Sequence, residues 1–127
     1  MKKILILFCL SASALFSQNP VQVVQAQLDA YNSQDIDAFS ALFAQDAKLY
    51  TNLGDSVPSI TGRENIKKRY GELFRANPNN KSTLIGRMTQ GNMVFDHEWI
   101  TGRDEAITIM AIYEVKNNLI TRCWFVR

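Results

Sequence analysis

The spacing of apolar residues changes once along this chain, near Lys81, and that change limits the fold more than any other feature. Before it, apolar side chains recur at intervals of three and four residues, the repeat of a helix with one buried face. After it they recur at every second residue, in four runs separated by short turn signals. Helices followed by strands, rather than alternating with them, indicate an α+β fold.

Asn19 stands where a first helix needs a cap, with Pro20 at its first position, and Val21, Val24, Leu28 and Tyr31 form its apolar stripe. Asp35 caps a short second helix whose buried face is Ile36, Phe39, Leu42 and Phe43. Residues 46–51 read as a strand centred on Leu49 and Tyr50, and residues 52–60, with Gly54, Asp55 and Pro58, as a loop. Thr61 and Glu64 have capping-box spacing for a third helix, with Ile66, Tyr70, Leu73 and Phe74 on its apolar side and Asn77-Pro78 at its end. Four strands follow, at 82–89, 93–101, 106–115 and 119–126, turning at Gly91-Asn92, Gly102-Arg103 and Asn117-Asn118. Such short connections join antiparallel neighbours, so the sheet is expected to be a meander. The last two strands are apolar on both faces, since Ile107, Ile109, Ala111 and Tyr113 alternate with Met110 and Ile112. The helices can cover one face; a second copy of the chain is the economical cover for the other.

Ahead of these elements, Lys2 and Lys3 precede an apolar run from Ile4 to Phe16 and a polar turn at Ser17, Gln18 and Asn19. This is the layout of a secretory signal peptide, expected to be cut after Ser17. The run is shorter than the roughly 20 apolar residues a membrane span needs. Residues 18–127 are therefore expected to form one exported domain, periplasmic or extracellular, with no membrane attachment once the signal is gone. Only Cys123 remains in that form, which excludes an intramolecular disulfide. The whole chain carries 14 basic and 12 acidic side chains, too even a balance for a nucleic-acid footprint. A single histidine, His97, rules out a multi-histidine metal site. No phosphate loop, dinucleotide fingerprint or nucleophile elbow is visible, so neither a metal nor a cofactor is expected.

The element order α-α-β-α-β-β-β-β resembles the nuclear transport factor 2-like superfamily, in its SnoaL-like or ketosteroid-isomerase-like branch. VVQAQLDAYNSQDIDAFSALFAQDAKLY is similar to the opening helix pair and first strand of that family, ITGRENIKKRYGELF to its third helix, and GNMVFDHEWITG and AIYEVKNNLITRCWFVR to its closing hairpins. Together these cover nearly all of residues 20–127. The resemblance implies a curved antiparallel sheet wrapped on three N-terminal helices into a cone with an internal pocket, often dimerised through the sheet. Its members include isomerases, cyclases, dehydratases and non-catalytic binding modules, so fold alone does not name a function.

The best-known chemistry on that fold moves a proton beside a ketone, with a carboxylate base and an enolate held by a tyrosine and a neutral carboxylic acid. Aligned to ketosteroid isomerase, the tyrosine position falls at Gln27, the base at Thr51 and the acid partner at Ala111. Gln27 can still donate a hydrogen bond, but Thr51 and Ala111 cannot replace a carboxyl, which disfavours that constellation. Asp96 and Glu98 are the remaining candidates for a proton carrier. They lie two apart on one strand and share a face. The resemblance puts that face inside the cone, whereas Met93, Phe95 and Trp99 make the opposite face the apolar one. Inside, two close carboxyls would raise one pKa, as a general acid or base requires. Arg122, expected to point inward from the last strand, is a partner for one of them. The same pairing supplies the alternative, a buried acid–base network that only holds the cone together. Tyr31, Tyr70, Phe74 and Trp124 are expected as core or pocket wall, His97 on the outer face, and Cys123 as a small buried hydrophobe.

Two functions compete on this reading, and the missing family carboxylates favour the first, while the Asp96/Glu98 pair keeps the second open. One is a module that binds a small, mostly apolar molecule without catalysis. The other is a pocket enzyme doing acid–base chemistry with Asp96 or Glu98, the ligand oriented by Gln27, Tyr31 and Arg122. A raised carboxyl pKa in a real cavity favours the enzyme; a cavity filled by Phe and Trp favours the binding or structural role.

Overall fold

A computed structural model describes residues 19–127, so the expected signal peptide lies outside the described residues. The elements run α1 (Pro20–Ser33), α2 (Ile36–Ala41), β1 (Phe43–Tyr50), β2 (Ile60–Thr61), α3 (Arg63–Ala76), β3 (Lys81–Gln90), β4 (Met93–Thr101), β5 (Ile107–Lys116) and β6 (Leu119–Val126). Among the described residues no helix is long and apolar enough to cross a membrane.

Local chemistry sets the helix starts. Asn19 Oδ1 accepts from Gln22 N at 2.9 Å while Gln22 Oε1 accepts from Asn19 N at 3.1 Å, a reciprocal box that ties down two free N–H groups. Asp35 caps α2 by accepting from Ala38 N at 3.0 Å. The box expected at Thr61 and Glu64 is not formed. Thr61 is committed to β2, opposite Lys48 of β1, and α3 starts instead from Gly62 at φ +93° with no side-chain cap. Phe43 opens β1 rather than closing the face of α2, and is buried there.

The six strands form one mixed sheet in the order β2-β1-β6-β5-β4-β3. The β3-β4-β5-β6 meander is antiparallel, as expected from its turns. One pair departs from the all-antiparallel expectation: β1 runs parallel to β6, because the long excursion through β2, α3 and the meander lets the last strand return beside the first. The sheet carries irregularities between Phe43 and Lys48, Leu84 and Gly86, and Glu114 and Val115. Bulges of this kind bend a strand and increase its twist, so the sheet curves around the helices. Val23, Val24, Phe39, Phe43, Leu49, Ile66, Ile120 and Tyr113 fill the space between them. Gly71 sits in α3 where a Cβ would lie 3.7 Å from Ile36 Cγ1 of α2, an ordinary contact, so the helix carries a weakening glycine that close packing does not demand.

Candidate active site

Between α1, α3 and the concave face of the sheet lies an open-mouthed cavity of about 700 Å³. Leu28, Leu49, Leu73, Ile100, Ile109 and Phe125 give it an apolar wall, interrupted by Gln27, Tyr31, Thr51, Glu98, Arg103 and Tyr113. This is the mixture a small-molecule site requires: apolar area for affinity and a few fixed polar groups for orientation.

Glu98 is the acid on that wall. It is 5% exposed. Ser82 Oγ donates to its Oε2 at 2.9 Å, and Tyr113 Oη makes a long contact of 3.5 Å to Oε1. Ser82 is itself held at its backbone by Asn32 of α1, through Asn32 Nδ2 to Ser82 O at 2.9 Å and Ser82 N to Asn32 Oδ1 at 2.8 Å. Oε1 is thus the freer oxygen. Burial pushes the Glu98 carboxyl up from 4.5 to about 7, and the negative charge of Asp96 adds to this, against the pull of Ser82, Tyr113 and Arg87. A carboxyl that is half ionised at neutral pH can both take and return a proton.

Asp96 does something else. It lies on the same inner face, fully buried, but is not part of the cavity wall. Arg87 grips it through Nε to Oδ1 at 2.6 Å and Nη2 to Oδ2 at 2.8 Å, and Arg87 Nη1 reaches Gln25 Oε1 at 2.9 Å. Each carboxylate oxygen accepts one hydrogen bond from the guanidinium and neither lines the cavity, so Asp96 is a structural partner of Arg87. The apolar outer edge of β4 did not indicate the buried side: the inner face holds the carboxyls, and Phe95 and Trp99 lie outside.

Arg122 corrects a second expectation. It points away from the cavity, half exposed, beside Glu114 at 3.6 Å. Without the bulge between Glu114 and Val115 the Asn117-Asn118 turn would set Arg122 opposite Tyr113, on the inner face. The extra residue, Thr121, shifts the register so that Arg122 opposes Glu114 and Cys123 opposes Tyr113. Thr121 foremost, then Arg122 and Lys116, hold the Glu114 carboxyl below its usual range.

Of the other residues singled out, Gln27, Tyr31, Thr51 and Tyr70 line the cavity. Gln27 is 6% exposed and its Oε1 has no hydrogen-bond partner, an orphaned acceptor in the pocket wall. Thr51 sits at the mouth, with its hydroxyl 3.0 Å from Asp55 Oδ2. Phe74 is not part of the cavity wall but packs behind it, edge-on to Tyr31 at 5.5 Å and Phe39 at 5.8 Å. Ala111 is buried opposite Asp96 and touches no open space. Trp124 lies on the convex side, stacked on Tyr50 at 5.6 Å. His97 is exposed on that same side. Cys123 is fully buried, and burial holds its thiol well above its usual pKa, so it is not a nucleophile. Among the described residues no group of three or more His, Cys, Asp or Glu side chains could hold a metal.

Sequence reading missed Arg87, Arg103, Ser82 and Tyr113. Arg87 was legible: a two-residue turn at Gly91-Asn92 places it directly opposite Asp96. Tyr113 was legible from its alternation with Ala111 and Ile109. Ser82 was not, because the bulge between Leu84 and Gly86 turns it inward and sends Ile85 to the surface. Arg103 sits in a turn and carried no periodic signal.

Residues 24–123 match the SnoaL-like domain family. No curated relative matches the sequence. Among solved structures, an uncharacterised cystatin-fold protein from Novosphingobium aromaticivorans superposes with a TM-score of 0.79 at 23% identity, covering 87% of this chain and 99% of that one. A candidate polyketide cyclase from Sinorhizobium meliloti gives 0.71 at 21% identity, covering 82% and 93%. A candidate ketosteroid isomerase from Kribbella flavida gives 0.70 at 20% identity, covering 84% and 75%. At these identities the likeness is one of fold.

Proposed function

This chain belongs to the SnoaL-like domain family, and from that membership we propose that it binds a small, mostly apolar molecule in its cavity and moves a proton on it with Glu98. The observation that carries this reading is a single buried carboxyl, with a pKa of about 7, on the wall of a real cavity. The ionised Glu98 takes a proton at Oε1 from a carbon beside a carbonyl and returns it to another carbon of the same molecule, so the ligand isomerises with no net gain or loss of atoms. The Tyr31 hydroxyl and the Gln27 amide orient it. The base arrives from β4 rather than from the end of β1, where Thr51 has no carboxyl. Two of the fold relatives are described as candidate enzymes, an isomerase and a cyclase, which is compatible with this class of chemistry. The aromatic cluster of Tyr31, Phe39, Tyr70 and Phe74 stands around or behind the cavity without filling it, which weighs against a purely structural core.

Carboxyl titration by NMR tests the reading. One glutamate should titrate near 7 and its signal should vanish in Glu98→Gln but persist in Asp96→Asn. A Glu98 signal titrating near 4 would remove the proton carrier and the enzyme with it.

The expected export, with loss of residues 1–17, and the expected homodimer belong to the same proposal. The convex face of the sheet supports pairing: Met88 and Trp99 are 71% and 48% exposed there, beside Phe95, Met110 and Trp124. Sedimentation should give a dimer for the wild type and a monomer for Phe95→Glu; a wild-type monomer at tens of micromolar would exclude pairing through this face.

A further inference from the structure

Arg103 belongs to no motif and has no part in the proton transfer, yet its placement is over-determined. Gly102 before it has φ +81°, and a Cβ there would collide with the Asn79 carbonyl. That close approach lays the turn between β4 and β5 on Asn79 and Asn80. Asn80 is buried. Its Oδ1 accepts from Arg103 Nε at 2.7 Å, and its Nδ2 donates to Tyr31 Oη at 2.6 Å. Arg103 Nη2 closes the triangle by donating to Tyr31 Oη at 2.7 Å.

Two consequences follow from counting donors and acceptors. The Tyr31 oxygen accepts twice, which engages both its lone pairs, and its own proton has no acceptor among the described residues. The guanidinium has used the edge formed by Nε and Nη2, which leaves the edge formed by Nη1 and Nη2, a planar fork that matches a carboxylate with two parallel hydrogen bonds. No carboxylate of the described residues lies within 4.0 Å of it: Arg103 takes part in none of the ion pairs that tie up Arg87, Arg122 or Lys67. Tyr31 and Arg103 line the cavity together with Arg69 and Arg127, and Glu98 is the one acid among the described lining residues.

We infer that the cavity recognises a carboxylate-bearing molecule. The free fork of Arg103 and the proton of Tyr31 receive the carboxylate, and the aliphatic wall takes the apolar body. The inference rests on the reading of the cavity as a ligand site and names the class of ligand; it does not depend on Glu98.

Isothermal titration of the purified protein with 2-naphthoate and its neutral amide, 2-naphthamide, tests it, with dodecanoate and dodecanamide as a second pair. The wild type should prefer the acid in at least one pair by about tenfold or more, the usual weight of a charge-assisted pair of hydrogen bonds. Arg103→Met should bring acid and amide within about twofold of each other, with circular dichroism unchanged. Arg103→Lys keeps the charge without the fork and should retain only part of the preference, and it carries the test if the Met variant fails to fold. A strut that merely holds Tyr31 and Asn80 would not separate acid from amide. Equal affinity for acid and amide in the wild type, or a preference that survives in a folded Arg103→Met, overturns the carboxylate assignment and leaves the cavity a ligand site. Binding of neither pair overturns both.

Discussion

Glu98→Gln is expected to make the protein more stable above neutral pH while removing the proposed proton transfer. In the folded chain the Glu98 carboxyl sits at about 7 against 4.5 when exposed, so between these values the folded state binds the proton that the unfolded state has released. Stability from this group is fully present below about pH 4.5 and is lost as pH rises through the folded value. A separation of this size is worth roughly 3 kcal/mol once the carboxyl is ionised in both states. Glutamine has the same shape, can still accept from Ser82, and never ionises. Urea denaturation should therefore find variant and wild type similar near pH 5 and the variant ahead by about 2–3 kcal/mol at pH 8. A difference that does not change with pH would mean that Glu98 is not buried as a titrating acid. Proton transfer, in an assay with a turned-over ligand, should fall by about 10²–10⁴. The two outcomes together would mark Glu98 as a side chain held for function rather than for stability.

Arg87→Met should be the most destabilising single change near the site. It leaves the Asp96 carboxylate with no cation, at a position with no exposure at all. Breaking a buried pair from one side costs about 3–5 kcal/mol, because the remaining charge is uncompensated. The reverse change, Asp96→Asn, should cost less, since the Arg87 side chain is 14% exposed and its guanidinium can reach water. Arg87→Met combined with Asp96→Leu should recover most of the loss, because an apolar pair needs no solvation. Chemical denaturation of the three variants checks the order; a loss below about 1 kcal/mol for Arg87→Met would show that the pair does not hold the inner face. The same substitution should also move Glu98 upward, because the guanidinium is one of the groups drawing its pKa down.

Much of the fold was legible because much of it is local. Asn19 with Pro20, and Asp35, mark helix starts through bonds that span three residues, and the Gly91-Asn92 turn sets its own hairpin. Thr61 misled for the same reason: its cap spacing was right, but pairing with Lys48 claimed its backbone first. The candidate site was less legible. Asp96 and Glu98 stood out as a pair sharing a face, yet one is locked by Arg87 and the other opens on the cavity.

What the sequence determined by itself was the list of elements, their order and their turns, since caps, turn residues and hydrophobic period act over a few neighbours. Which side chains meet was decided only in the tertiary structure. Two bulges, each one residue long, turned Arg122 out and Ser82 in, and a glycine that lets one turn lie against another brought Arg103 to Tyr31. The pKa of Glu98 belongs to the same class: it comes from burial, and burial is a property of everything packed around a residue rather than of its neighbours in the chain.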